Sequence, residues 1–329
     1  MPASRKILVL YTGGTIGMQQ SSEGLMPASG FAERLREQQA QQSSLQLPEW
    51  QFRELLPPID SANMNQHNWL AMVAAIREGV EQDGCDSVLV LHGTDTLAYS
   101  AAALSFLLLG LEVPVVLTGS MLPAGVSGSD AWDNLFGALQ RLSAGVDTGV
   151  HLYFSGRLMQ GVRASKLGTA SLDAFGVMPR VRAGQHVPAP GSLDFRQTRR
   201  PVPLAVLPLY PGITAAQLNA VLEGGVQGLL LECYGSGTGP SDDAQLLDAL
   251  SAAHQRGVVL AAISQCPQGH VDFDMYAAGG KLAATGLISG GGMTREAALG
   301  KLFALLGAGL SQTEVEHWFA LDLCGERAD

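Results

Sequence analysis

The sequence predicts an α/β protein: a larger N-terminal domain on a mostly parallel, doubly wound sheet, followed by a smaller C-terminal α/β domain. Three observations carry this. Short, nearly continuous Val/Leu runs recur along the chain, as strands covered on both faces require. Segments with helical apolar spacing lie between them, and such alternation means a parallel sheet wound by right-handed crossovers. Between residues 186 and 203 the texture changes to His186-Val187-Pro188-Ala189-Pro190-Gly191 and Arg199-Arg200-Pro201, which cannot be helix or central strand. Domains are therefore expected at 1–185 and 204–329, with 186–203 as linker.

The elements follow in order. Strands are expected at Lys6–Tyr11, Ser87–His92, Val113–Thr118 and Val150–Phe154. Helices are expected at Asn65–Glu81, where Leu70, Val73, Ile76 and Val80 share one face, at the almost wholly apolar Leu97–Leu109, and at Asp130–Ser143. After the linker, Val202–Leu209, Gly228–Cys233 and Val258–Ser264 read as strands. Ala215–Glu223, Asp242–Arg256, Thr294–Gly307 and Gln312–Ala320 read as helices. Thr294 and Ser311 are the expected N-caps of the last two, the latter with Glu314 three residues on. The Gln-rich run Gln38–Gln46 reads as an exposed helix end or loop.

Composition narrows the function classes. At 329 residues, 47% hydrophobic and 15% charged, the chain is globular and rather dry, with one or two domains. Its 40 glycines imply many tight loops. A net charge of −10 argues against a nucleic-acid binder, which needs Lys and Arg to displace counterions. No stretch approaches the roughly 18 uncharged apolar residues of a membrane span, and the polar start followed by the short run Ile7–Tyr11 does not fit a secretory signal. The cysteines Cys85, Cys233, Cys266 and Cys324 are far apart and read as reduced cytosolic thiols. No His or Cys pair has metal-ligand spacing.

In a doubly wound sheet, ligands bind outside the carboxyl ends of the strands. The first strand is followed by Thr12-Gly13-Gly14-Thr15-Ile16-Gly17, the next by His92-Gly93-Thr94-Asp95-Thr96, and the next by Thr118-Gly119-Ser120. In the C-terminal half, Tyr234-Gly235-Ser236-Gly237 follows Gly228–Cys233. Hydroxyl residues flanked by glycine thus recur at one edge of the sheet. Thr12–Gly17 is neither a Walker loop nor a dinucleotide fingerprint, because it lacks Gly-Lys-Ser/Thr and the G-x-G-x-x-G spacing. Alone, Gly-rich turns close strand-to-helix corners, and Thr94, Asp95 or Thr96 would serve as the cap that helix Leu97–Leu109 needs.

Together, Thr12-Gly13-Gly14-Thr15-Ile16 and His92-Gly93-Thr94-Asp95-Thr96 resemble the two signature segments of bacterial-type L-asparaginases. The resemblance covers essentially the whole chain. It includes Asp60-Ser61, Arg163-Ala164-Ser165-Lys166, Leu207-Pro208-Leu209-Tyr210-Pro211-Gly212 and Gln265-Cys266-Pro267-Gln268-Gly269, and Tyr11–Met18 is similar to the cytoplasmic, type I branch. It implies a homodimer or homotetramer that acts on a small molecule, L-asparagine ahead of L-glutamine, with no metal or organic cofactor.

The resemblance also implies roles. A threonine hydroxyl is a poor nucleophile at neutral pH and needs a nearby base. Thr15 is the implied nucleophile. Thr94, with Lys166 and Asp95, would activate the attacking water or Thr94 itself, Lys166 acting as a base only if burial or neighbouring charge lowers its pKa. Asp95 would also pair with the substrate ammonium. Ser61, beside Asp60, would hold the α-carboxylate; the same pair would otherwise read as a helix cap before Met64. Backbone N–H groups around Thr15 and Thr94, beside Gly14 and Gly93, are the natural oxyanion hole. His92 is expected to be a buried structural histidine.

Two departures stand out. Relatives can place a tyrosine in the mobile loop after the first signature; here Leu25 occupies that place in the lid-like segment Gly17–Gly30. Tyr276 is the expected substitute, reaching Thr15 from the C-terminal domain of its own or a neighbouring subunit, the alternative being an ordinary interface tyrosine. Glu232 stands where a basic residue could pair with a regulatory asparagine, near segments holding Ser165 and Cys266, so weak or absent allostery is expected. Two rivals remain: a catalytically silent amino-acid sensor on the same scaffold, and the amidase subunit of a tRNA-dependent amidotransferase, which needs an extra domain and a partner chain.

Overall fold

The computed structural model describes residues 6–22, 24–26, 28–41, 47–179 and 186–327. The rest of the Gln38–Gln46 run beyond Gln41, Glu23 and Pro27 of the lid-like segment, and the expected domain end at residue 185 lie outside the described residues. The chain divides into two compact units, Met1–Val177 and Met178–Asp329.

The first unit begins with β1 (Lys6–Gly13), a short hairpin of β2 (Gln19–Ser21) and β3 (Gly24–Met26), α1 (Phe31–Gln41) and the long β4 (Glu49–Ile59). It continues through α2 (Gln66–Glu81), β5 (Ser87–Leu91), α3 (Leu97–Leu107), β6 (Pro114–Thr118), α4 (Ala131–Ala144) and β7 (Gly149–Phe154). It ends with β8 (Arg157–Gln160) and the small antiparallel pair β9 (Ala164–Lys166) and β10 (Phe175–Val177). The main sheet has the order β4-β1-β5-β6-β7-β8, parallel throughout except for β8. Strands β5 and β6 are buried at every position, which is why they read as unbroken apolar runs.

The alternation of β1 sorts the helices. Ile7, Val9 and Tyr11 pack with Phe31 and Leu35 of α1 and with Leu135 and Leu139 of α4. On the other face, Leu8 meets α2 so closely that a side chain at Gly79 would overlap it. The chain leaves β1 for β4 on one side and then returns to β5 on the other. The loops after β1 and β5 therefore diverge, and the crevice between them is where ligands of such sheets bind. Sequence reading did not anticipate α1 or β4. Only Phe31 and Leu35 of α1 are buried, and β4 is an edge strand that carries Arg53, Glu54 and a Pro57-Pro58 pair.

The second unit holds β11 (Leu204–Pro208), α5 (Ala215–Leu222), β12 (Gly228–Cys233), α6 (Ala244–Gln255), β13 (Val259–Ser264), α7 (Ala277–Ala283), β14 (Leu287–Ser289), α8 (Arg295–Gly307) and α9 (Gln312–Phe319). Its four strands are parallel in the order β11-β12-β13-β14. Thr294 and Ser311 cap α8 and α9 as expected, the latter in a reciprocal box with Glu314. The segment 186–203 contains only the 3₁₀ turn Gly191–Leu193; Val187 N–H donates to Asp322 O and Arg200 N–H to Gly307 O.

A buried ion pair closes the C-terminal turn. Lys301 of α8 and Glu326 are both 0% exposed and 2.5 Å apart. Lys301 also donates to the Phe319 and Leu321 carbonyls, and Glu326 accepts from the Leu323 and Cys324 N–H groups. Burial pushes the Glu326 carboxyl up, but the Lys301 charge and the hydrogen bonds outweigh it and hold the group at about 2. Lys301→Met leaves that carboxylate unpaired, so urea unfolding should show a loss of about 3–5 kcal/mol; an unchanged midpoint and slope would refute this. A depressed carboxylate contributes stability above its unfolded pKa of about 4.3 that is lost as pH falls toward the folded value. The wild type should weaken between about pH 4 and 2, and Glu326→Gln should lack that part of the slope.

Candidate active site

Four loops meet at the carboxyl ends of β1, β4, β5 and β6. After β1, Gly14 adopts φ +83° and leads into the 3₁₀ turn Thr15–Gly17. Its N–H donates to Ile59 O at the end of β4 (3.0 Å), and Thr12 Oγ1 donates to Leu91 O at the end of β5 (2.9 Å). These bonds hold the first signature between its two neighbouring strands. The approach is close enough to demand glycine: a Cβ on Gly14 would lie 2.2 Å from Gly93 N, and one on Gly93 would lie 2.4 Å from Ser61 Oγ. Gly14, Gly93 and Ser61 thus stack in contact, joining the three segments singled out in the sequence.

The base of the Thr15–Gly17 turn is stapled twice. Tyr11, buried and stacked on Phe31 at 5.2 Å, donates its phenol to Ala28 O (3.0 Å). Burial raises its pKa, so it stays a neutral donor. Arg34 of α1 donates to Gly17 O (2.9 Å). Between Gly17 and Ala28, β2 and β3 pair as a hairpin, with Leu25 opposite Gln20 and 48% exposed. Among the described residues of the first unit, no side chain is hydrogen-bonded to the Thr15 hydroxyl.

After β5, Thr94 is buried and Asp95 projects outward. Lys166, carried by β9, donates to Thr94 Oγ1 (3.0 Å) and to Asp95 Oδ1 (2.7 Å). The Asp95 side chain is 63% exposed against 20% for Lys166, so the carboxylate faces solvent while the amine is tucked between it and Thr94. The expected group Thr94, Asp95 and Lys166 is therefore assembled in one place, with Thr15, Gly14, Gly93, Asp60 and Ser61 on the adjoining loops. Asp60 caps the 3₁₀ turn Ser61–Asn63 by accepting from Ala62 N–H. The following helix α2 takes its own cap from Asn65, so the Asp60-Ser61 pair is not that helix's cap. Tyr276 belongs to the second unit, as the residue before α7, and is 58% exposed.

His92 is fully buried behind the loop. Its Nδ1 lies 2.7 Å from Gly93 O, which only accepts, so Nδ1 carries the proton. Nε2 then accepts from Ser100 Oγ (2.8 Å), whose oxygen accepts from the indole N–H of Trp69 (2.9 Å). A neutral imidazole satisfies every member of this chain. Burial depresses the His92 pKa to about 4, although the bond to Gly93 acts the other way. The third loop is fixed from α4. Asp130 accepts from Met121 and Leu122 N–H, and Asn134 donates to Gly119 O (3.0 Å). Sequence reading missed Asp130, Asn134, Tyr11 and Arg34 because each acts on backbone that it reaches only in the fold. A tyrosine just ahead of the first signature was the one local hint.

Comparison with known proteins places both parts of the chain in one family. Residues 6–198 match the family model of the asparaginase N-terminal domain, and residues 204–319 that of the glutaminase/asparaginase C-terminal domain. L-asparaginase 1 of Escherichia coli K12 is 36% identical over 334 residues, covering 98% of each chain. The crystal structure of L-asparaginase I from Vibrio cholerae superposes with a TM-score of 0.84 at 33% identity, covering 99% of this chain and 100% of that one. The thermostable L-asparaginase from Thermococcus kodakarensis also gives a TM-score of 0.84, at 30% identity, covering 98% and 99%. Among the described residues no helix is long and apolar enough to cross a membrane.

A neutral His92 makes a prediction. Its imidazole should titrate near pH 4 by NMR, with the charged form disfavoured at every higher pH. The pH–rate profile of a His92→Gln variant should retain every ionisation seen for the wild type between about pH 5 and 9. Loss of one would assign His92 to proton transfer. The two domain matches and the near-complete alignments make this chain a member of the asparaginase family.

Proposed function

We propose that this protein is a hydrolase that converts L-asparagine to L-aspartate and ammonia through an acyl-enzyme on Thr15, with L-glutamine a weaker substrate. The single observation that supports it most is Lys166 bridging Thr94 and Asp95 at 3.0 and 2.7 Å, beside the Gly14–Gly93 contact that brings the Thr15 loop to the same crevice. In this reading Thr15 Oγ attacks the side-chain amide carbon, its proton passes to a base, and the C–N bond breaks as the leaving nitrogen takes up a proton to depart as ammonia. Backbone N–H groups next to Gly14 and Gly93 hold the negative oxygen. For the second half, Lys166 as the free amine takes a proton from Thr94, which takes one from water. The hydroxide adds to the ester, the ester C–O bond breaks, and Thr15 Oγ leaves by taking up the proton relayed through Thr94 and Lys166. Asp95 steadies the resulting ammonium and pairs with the substrate α-ammonium, and Ser61 with the Asp60 turn takes the α-carboxylate.

Tyr276 is our candidate for the phenol that serves Thr15, in its own or a neighbouring subunit. Its exposure and the aliphatic Leu25 in the hairpin support this. The four cysteines are free thiols, which supports a reducing, cytoplasmic compartment. We take the active form to be a homodimer or homotetramer.

The test is ammonia release from purified protein. L-asparagine should be hydrolysed, and Thr15→Ala should abolish turnover. Lys166→Met should lower kcat by about 10²–10⁴, and Tyr276→Phe should also slow it. Wild-type rates in Thr15→Ala would overturn the nucleophile assignment, and wild-type rates in Tyr276→Phe would remove the phenol role. Absence of turnover by folded wild-type protein would favour the amino-acid sensor.

The second unit bears on regulation. Glu232, buried on β12, is held by a two-point pair with Arg295 of α8, one arm of which is 2.8 Å. A carboxylate already engaged by a guanidinium offers nothing to the carboxylate of a regulatory asparagine. Initial rates should therefore follow a hyperbola in L-asparagine; a sigmoidal curve would contradict this.

A further inference from the structure

Thr96 occupies the N-cap position of α3, a helix of eleven residues. Threonine is favoured there because its hydroxyl accepts from an N–H of the first turn, and losing such a bond typically destabilises a helix by about 1 kcal/mol. Thr96 makes no such bond. Its backbone, at φ −119° and ψ 15°, departs from the extended conformation that aims a capping side chain back at the helix. The hydroxyl instead donates across the crevice to the main-chain carbonyl of Ser61, at 2.8 Å.

That bond belongs to a set. Asp60 caps the turn Ser61–Asn63 from its start, and Met64 N–H closes it on the same Ser61 carbonyl (3.1 Å). The Ser61 side chain lies against Gly93. Ser61 is thus fixed from three directions: its own turn, Gly93 under its side chain, and Thr96 on its carbonyl. Among the described residues its hydroxyl has no hydrogen-bond partner within the chain, so it is held ready while uncommitted. A residue that abandons its local role at a site edge usually serves the site.

We propose that Thr96 is a positioning residue for substrate recognition: its hydroxyl clamps the Ser61 carbonyl and thereby fixes the Ser61 turn that receives the α-carboxylate. It touches neither the reacting amide nor the Thr94–Lys166 pair, so it governs affinity for α-carboxylate-bearing ligands rather than the chemical step. This rests on the substrate reading above and assigns a residue beyond it. The second threonine of Thr94-Asp95-Thr96 is then as functional as the first, acting on binding where Thr94 acts on bond-making.

The experiment compares wild type, Thr96→Val and Thr96→Ser. Valine keeps the shape and removes the donor; serine restores a hydroxyl. Two readouts are taken: kcat and KM for L-asparagine, and calorimetric affinity for L-aspartate and for β-alanine, which is L-aspartate without its α-carboxylate. Thr96→Val should raise KM and weaken L-aspartate about tenfold, the order expected for losing one hydrogen bond. It should leave kcat within about twofold and β-alanine unchanged, and Thr96→Ser should recover most of the loss. A fall in kcat at constant KM, or equal weakening of both ligands, would overturn the proposal, as would wild-type affinity in Thr96→Val. Because the affinities do not depend on turnover, an inactive wild type that still binds L-aspartate in a Thr96-dependent way would refute the hydrolase reading and leave this one standing.

Discussion

Backbone meets backbone where Gly14 and Gly93 touch, and the rest of the site depends on that contact. A side-chain carbon on either glycine would fall well inside the van der Waals distance of its neighbours, on Gly93 N in one case and Ser61 Oγ in the other. Gly14 must also adopt a positive φ, which only glycine does at little cost. The fold allows so close an approach because β1 lies between β4 and β5, and the chain crosses to opposite faces on leaving and returning. Thr12 and Gly14 then bond to the ends of both neighbours. Thr15, the Ser61 turn and the Thr94-Asp95-Thr96 segment are thus placed by main-chain geometry before any side-chain contact is considered.

Around that contact, charge is arranged in depth. Behind the loop after β5 runs a neutral chain of paired groups, Trp69–Ser100–His92–Gly93. Such a network holds its shape without charge, which suits a fully buried position. The charged groups Lys166 and Asp95 stand at the open side, where Asp95 meets solvent. An amino-acid substrate brings an ammonium and a carboxylate of its own. In the proposed reading it is held by these ends at the charged rim, with the amide over the hydroxyls.

Much of this was legible in the sequence, for physical reasons. Strands β5, β6 and β12 are buried at every position, so each shows as a nearly continuous apolar run, interrupted in β12 by Glu232, which is paired with Arg295. Strand β4 was not legible because an edge strand tolerates prolines and charges. Helix α1 was missed because two buried residues, Phe31 and Leu35, are too few for a periodic signal. Helix α7 was hidden by Gly279, where a side chain would strike the backbone of Phe273. In the site, the reactive residue types and their glycine neighbours could be named from two motifs in register. The groups that fix them could not. Arg34, Asp130, Asn134 and Thr96 bond to carbonyls or N–H groups of loops elsewhere in the chain, and such partners carry no sequence pattern.

The central claim is that one ligand is held end to end across the four loops of the first unit. A crystal structure of the protein with L-aspartate bound tests it most directly. The account predicts the side-chain carboxylate between the Thr15 and Thr94 hydroxyls, the ammonium on Asp95 and the α-carboxylate on Ser61. L-aspartate bound elsewhere, for example in the separate pocket lined by Ser129, Asp133, Asn134 and Ser155, or in this crevice with its two carboxylates exchanged, would contradict it.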